Sequence, residues 1–170
     1  MTSGQADAAF SMLPGNRFSG RSEFTGLVRQ ALAAAAAQGW HEMIWCDPDF
    51  SDWPLGERSV VQALNDWAKS GRKLTMLAEN YDAIPRQHGR FTTWRQTWSH
   101  VIECHKSGAA SSGRLPSVFW SPGWAMERLD SQRCTGVASA DLARCMALKE
   151  RLNEHLAASS SGFPASVLGL

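Results

Sequence analysis

Three aspartates crowd one short stretch, Asp47-Pro48-Asp49-Phe50-Ser51-Asp52. Clustered carboxylates can hold a hard cation and, through it, a phosphate. Asp side chains at a turn also accept backbone N–H groups two or three residues on, and cap the helix that follows. No EF-hand register and no helix-borne ligand accompanies the three, which favours the capping role. A second group, His88 and Arg90, stands near a predicted helix start, where free N–H groups favour an anion; the alternative is a solvated first turn. A third, Arg86, Arg90 and Arg95 with Trp94 and Trp98, interleaves bases with aromatics, as single-stranded nucleic-acid sites do. The alternative is a row of core aromatics with a wet basic edge. Cys104 and His105 are adjacent in a predicted strand and point to opposite faces, so they make a poor ligand pair. No other histidine has metal-ligand spacing, and neither GxGxxG, GxxxxGK[ST] nor GxSxG occurs. No metal and no cofactor is expected.

These groups need elements to place them. Phe24, Leu27, Val28, Ala31, Leu32 and Ala35 recur at helical spacing, which predicts a helix over 22–38 with Ser22 as N-cap and Gly39 as C-cap. The run 41–46 reads as a buried strand stopped by Asp47-Pro48, so the aspartates follow a strand and precede a helix. In open α/β sheets ligands bind beyond such strand ends. Helix 57–69, strand 73–78, helix 86–99 and strand 101–105 follow. Strands 117–120 and 124–129, joined by Ser121-Pro122-Gly123, form a hairpin. A strand over 133–137 and a helix over 140–157, capped by Ser139 and carrying Leu142, Cys145, Met146, Leu148, Leu152 and Leu156, complete the order. Alternating helices and strands with a late hairpin predict an α/β fold: a layered α/β/α domain with a mixed, partly parallel sheet. Residues 1–20 read as a flexible arm, 21–158 as the domain, and 159–170 as a tail that docks through Phe163, Val167 and Leu168.

The 170 residues suit one domain, and a net charge of +1 gives no bulk attraction for DNA or an anionic membrane. Nucleic acid is therefore not expected as a partner, and no membrane association is expected. The first residues, MTSGQADAAF, lack the basic start and apolar run of a secretory signal. Cys46, Cys104, Cys134 and Cys145 are far apart, and free buried thiols in a reducing cytoplasm are expected. Eight tryptophans against one tyrosine place some Trp in the core and some along a groove or interface.

The stretch Arg114-Leu115-Pro116-Ser117-Val118-Phe119-Trp120-Ser121, followed by Thr135-Gly136-Val137-Ala138-Ser139 and the last helix, resembles a half-domain of the phospholipase D-like superfamily. So does IWCDPDFSDWPLGERSVVQAL with GRKLTMLAENYDAIPRQHGRF, which is similar to uncharacterised bacterial domains of that type. The resemblance covers about residues 22–170. It implies an HxKxxxxD motif whose His attacks phosphorus and whose Lys holds phosphate oxygens. On this register the His falls at Arg114, the Lys at Pro116 and the Asp at Ser121. A guanidinium stays protonated and cannot attack, and proline offers no donor.

The sequence thus leans away from a working enzyme of that kind. It points to a non-catalytic binding or interaction module, expected to pair with a second copy and to take a phosphate-containing ligand. Asp47, Asp49, Asp52, His88, Arg90, Arg114 and Ser121 are its candidate ligand-binding residues. The alternatives are a phosphoesterase or nuclease-like enzyme with a displaced site at the strand ends, and a nucleic-acid-binding module.

Overall fold

The computed structural model describes residues 13–69, 71–108 and 114–164. The described elements run β1 (Arg17–Phe18), α1 (Arg21–Gln38), β2 (Glu42–Cys46), α2 (Arg58–Trp67), β3 (Lys73–Ala78), α3 (Ala83–Gln87) and α4 (Gly89–Thr97). They continue with β4 (Ile102–Ser107), β5 (Ser117–Trp120), β6 (Ala125–Asp130), β7 (Thr135–Ser139), α5 (Leu142–Ala157) and β8 (Ser159–Ser161). The strands form one sheet in the order β1-β7-β6-β5-β2-β3-β4-β8. β2, β3 and β4 are parallel, and the remaining pairs are antiparallel. The expected mixed, partly parallel sheet is therefore present.

Alternation along each strand divides the apolar side chains between two layers. Met43, Trp45, Leu74, Met76, Phe119 and Met126 face α1, α2 and α4. Ile44, Cys46, Leu77, Val118 and Trp120 face α5. The six apolar positions predicted for the first helix are all buried, and Gly39 ends it at φ 65. Its N-cap is Gly20 rather than Ser22, while Glu23 reaches back to accept the Ser19 N–H at 2.6 Å. The last helix begins one turn after β7 with Asp141 as N-cap; Ser139 Oγ accepts the Asp141 N–H instead.

Two further differences have local causes. The single helix expected over 86–99 is two, broken where His88 takes φ −125, ψ 55. That break lets the His88 ring turn inward and bond the Phe50 carbonyl. In α5, Leu142 and Met146 lie outside, 64% and 67% exposed, because the helix turns Cys145, Leu148 and Leu152 to the sheet. Residues 13–20, within the stretch read as an arm, supply buried Leu13 and Phe18 and the edge strand β1. At the other end Phe163 packs on Tyr81, while Val167 and Leu168 lie outside the described residues.

The tryptophans go inward. Trp45, Trp53, Trp67, Trp94, Trp120 and Trp124 are buried, and Trp40 and Trp98 are partly buried against the core. All four cysteines are free and buried. Burial pushes the thiols of Cys46, Cys104 and Cys145 up, that of Cys104 to about 11. They stay protonated and inert at neutral pH.

Candidate anion-binding cleft at the strand ends

The Asp47–Asp52 loop follows β2 and is plugged into the core rather than draped over it. Phe50, Trp53 and Leu55 are fully buried. The Trp53 ring sits 4.9 Å from Phe50, 5.7 Å from Trp45 and 5.8 Å from Phe24. Phe50 is held at φ 61, which costs on the order of 1 kcal/mol for a residue with a Cβ. Its surroundings impose that conformation. The Phe50 N–H donates to Asp47 Oδ2 at 2.8 Å, and its carbonyl lies 2.9 Å from His88 Nε2.

The three aspartates do different work. Asp47 Oδ2 also accepts the Asp49 N–H, and Asp49 Oδ1 accepts the Ser51 N–H, so both act as turn caps. The second oxygen of Asp47 and the carboxylate of Asp52 converge on Arg128, at 3.0 Å and 2.9 Å. Among the described residues no group of three His, Cys, Asp or Glu is arranged to hold a metal ion.

Arg128 was not among the residues singled out by sequence, and it organises this end of the sheet. It sits in β6 on the same face as Met126, two residues before it, with its side chain 3% exposed. Its guanidinium lies 4.7 Å above the Phe24 ring and also donates to Cys134 Sγ. Burial opposes its charge, but the two carboxylates outweigh burial and its pKa rises. The available signal was an arginine in phase with an apolar residue of a predicted strand, which demands a buried counter-charge.

Beside this clamp lies a cleft of about 360 Å³, lined by Pro48, Arg114, Leu115, Ser117, Glu127, Arg128, Arg151 and His155 among others. β5 runs antiparallel to β2 with Val118 opposite Cys46, so the cleft stands at the carboxyl ends of the parallel strands. Arg151 of α5 pairs with the nearly buried Glu127 carboxylate at 3.1 Å. Two buried polar atoms of lining residues, Ser117 Oγ and Arg128 Nε, have no hydrogen-bond partner among the described residues. Arg114 stands exposed at the rim, and its side chain makes no ion pair or hydrogen bond among the described residues. Arg114, with Arg151 and His155 of α5, makes this cleft a candidate site for an oxyanion.

The other sequence candidates lie elsewhere. His88 and Arg90 brace the far side of the aspartate loop, Arg90 Nη1 donating to the Gly56 carbonyl at 2.9 Å. Ser121 is at the opposite end of β5, buried, its hydroxyl bonded to the Trp124 main chain across the hairpin turn. Of the residues singled out, the structure gathers Asp47, Asp52 and Arg114 around the Arg128 clamp and cleft. Asp49 stays beside Asp47 as a turn cap, while His88, Arg90 and Ser121 lie apart from the cleft.

No protein-family model matches the chain, and no curated protein matches it. Solved structures do. Nuc from Salmonella typhimurium, a phospholipase D family member, matches with a TM-score of 0.59 at 8% identity, over 89% of this chain and 100% of that one. NucT from Helicobacter pylori matches with a TM-score of 0.57 at 10% identity, over 88% and 99%. TrmBL2, an archaeal chromatin protein whose structure shows a novel mode of DNA binding, matches with a TM-score of 0.61 at 14% identity. That match covers 85% of this chain and 52% of the chromatin protein, so this chain spans about half its length. The expectation against nucleic acid is corrected here. It rested on a net charge near zero, and a near-neutral chain can still gather its bases in one cleft, in a fold that a DNA-binding chromatin protein shares. No helix among the described residues is long and apolar enough to cross a membrane. With the sheet order, the two layers and these matches together, the chain has the fold of the phospholipase D-like superfamily.

Proposed function

We propose that this chain is a binding module that grips phosphate groups of a nucleic acid in the Arg114–Arg151–His155 cleft, without phospholipase D-type phosphohistidine chemistry. The observation that carries this is Arg114, exposed and with no side-chain partner among the described residues, at the rim of a cleft that Arg151 and His155 also line. On the phospholipase D-like register Arg114 stands where the attacking His would be, and Pro116 where the Lys would be. A guanidinium cannot be the nucleophile, but it binds a phosphate through two parallel N–H groups. Site and register agree on binding without cleavage.

The test pairs binding with turnover. Labelled oligonucleotides should bind with an affinity that falls as salt rises, since released counterions drive phosphate contacts. Arg114→Ala should weaken binding several-fold and make the salt slope shallower. Bis(p-nitrophenyl) phosphate should not be hydrolysed above background. Absence of binding at low salt would overturn the proposal.

A second reading rests on one observation, that His155 lines the same cleft. An imidazole is a competent nucleophile or proton carrier. Turnover that His155→Ala abolishes, with binding kept, would assign this reading instead.

A further inference from the structure

A second cleft, about 700 Å³, adjoins the first and holds a stacked aromatic pair that neither reading above uses. Its lining includes Asn80, Tyr81, Asp82, Arg86, Lys106 and Phe163. The Pro48 carbonyl accepts the N–H groups of Glu79 and Asn80 at 2.9 and 3.2 Å. Pro48 lines the first cleft and Asn80 the second. Leu115, also in the first, donates its N–H to Glu79 Oε1.

The aromatic pair is held from several sides. The Tyr81 and Phe163 rings stack at 5.3 Å with 13° between their planes. Tyr81 Oη donates to the His105 carbonyl at 2.6 Å, and Gly162 N–H donates to the Cys104 carbonyl at 3.0 Å. The Phe163 carbonyl accepts Arg95 Nη2 at 3.2 Å. Phe163 is thus a preset, partly exposed ring at the edge of a cleft. The Lys106 side chain is exposed and has no hydrogen bond or ion pair among the described residues, and Arg86, also exposed, lines the same cleft with its Nε donating to the Asp82 carbonyl at 3.2 Å. Asp82 is the one carboxylate among the described lining residues.

Cations that track a backbone, with an aromatic face beside them, suit a single strand whose bases are free to stack. A duplex hides those faces. We infer that the two clefts form one path for single-stranded nucleic acid: phosphates meet Arg114 and Arg151 in the first and Lys106 and Arg86 in the second, and a base stacks on Phe163. The inference rests on the phosphate-binding reading of the first cleft and adds the platform and the preference for single strands.

The experiment uses fluorescence anisotropy of the full chain with labelled oligothymidylate of about twelve nucleotides. Probes are the same length of abasic backbone and a duplex. Variants are Phe163→Leu, which keeps an apolar side chain on Tyr81, Lys106→Ala and Arg114→Ala. Thymidylate should bind about tenfold more tightly than the abasic strand, as expected for one stacked base. Phe163→Leu should erase that difference, and Lys106→Ala should make the salt slope shallower by about 0.7. Equal affinity for thymidylate, abasic strand and duplex would overturn the inference. If Phe163→Leu changes nothing while Arg114→Ala weakens binding, the platform falls and the phosphate cleft stands. If Arg114→Ala changes nothing while Phe163→Leu weakens binding, the phosphate cleft falls and the platform stands alone.

Discussion

Arg128 and Arg114 border the same cleft and are used in different ways. Arg128 is buried, braced by two carboxylates and an aromatic face, and fixed in the middle of a strand. Arg114 is exposed, precedes a strand and has no partner among the described residues. A buried charge that is fully engaged contributes to the shape of its surroundings, and its removal strands what it neutralised. An exposed charge without a partner contributes little to folding. One end of the sheet thus carries both a structural clamp and the exposed arginine on which the proposed binding rests.

The largest effect expected from this contrast is on stability. Arg128→Ala leaves Asp47 buried without its cation and should lower the unfolding free energy by about 3–5 kcal/mol, read from urea denaturation. A loss within about 1 kcal/mol would break the comparison, because the clamp would then carry no structural load.

The alkaline limb of stability comes next. The folded-state pKa of Cys104 is raised by burial to about 11, so the folded chain holds a proton that the unfolded chain gives up near the ordinary thiol value. This stabilisation is present below about pH 9 and is lost as pH rises toward 11, by up to about 3 kcal/mol for that one thiol. Thermal melts across pH 8 to 11 should show the decline, and Cys104→Ala should make it shallower without abolishing it, because burial raises Cys46, Tyr81 and Cys145 as well. An unchanged slope in that variant would assign the decline elsewhere.

Arg114→Ala should sharpen the contrast. Its unfolding free energy should stay within about 0.5 kcal/mol of the parent, while oligonucleotide affinity falls several-fold. A variant that loses stability and binding together would show that the rim is structural too. The smallest effect is expected from Arg21→Ala. Its guanidinium reaches Asp52 at 3.7 Å but is 69% exposed, and water screens such a pair. A change within about 0.5 kcal/mol is expected, which would show that Arg128, not Arg21, holds Asp52.

Much of the fold was legible because the code is local. The strand 73–78 has its predicted bounds, since a continuous apolar run between Gly71 and the loop at Asn80 admits no other placement. The same holds for 117–120 and the Ser121-Pro122-Gly123 turn. The break at His88 was not legible, because its cause is the Phe50 carbonyl 38 residues away. Leu142 and Met146 were read as helix apolar positions, but which apolar residues of an amphipathic helix meet the sheet depends on how the helix is docked.

Sequence alone determined the central alternation of helices and strands and the strand-end position of the aspartate loop, but not the edge strands β1 and β8. It determined these because periodicity, turn chemistry and residue type act over a few positions. Only the tertiary structure decided which candidates meet. Asp47 and Arg128 are 81 residues apart in the chain and 3.0 Å apart in space. Ser121 and Arg114 are near in the chain and lie at opposite ends of one strand. A site is a set of distances, and strand pairing between remote segments sets them. The physical reason is that burying a charge forces it to find a counter-charge wherever the fold supplies one, whatever the separation in sequence.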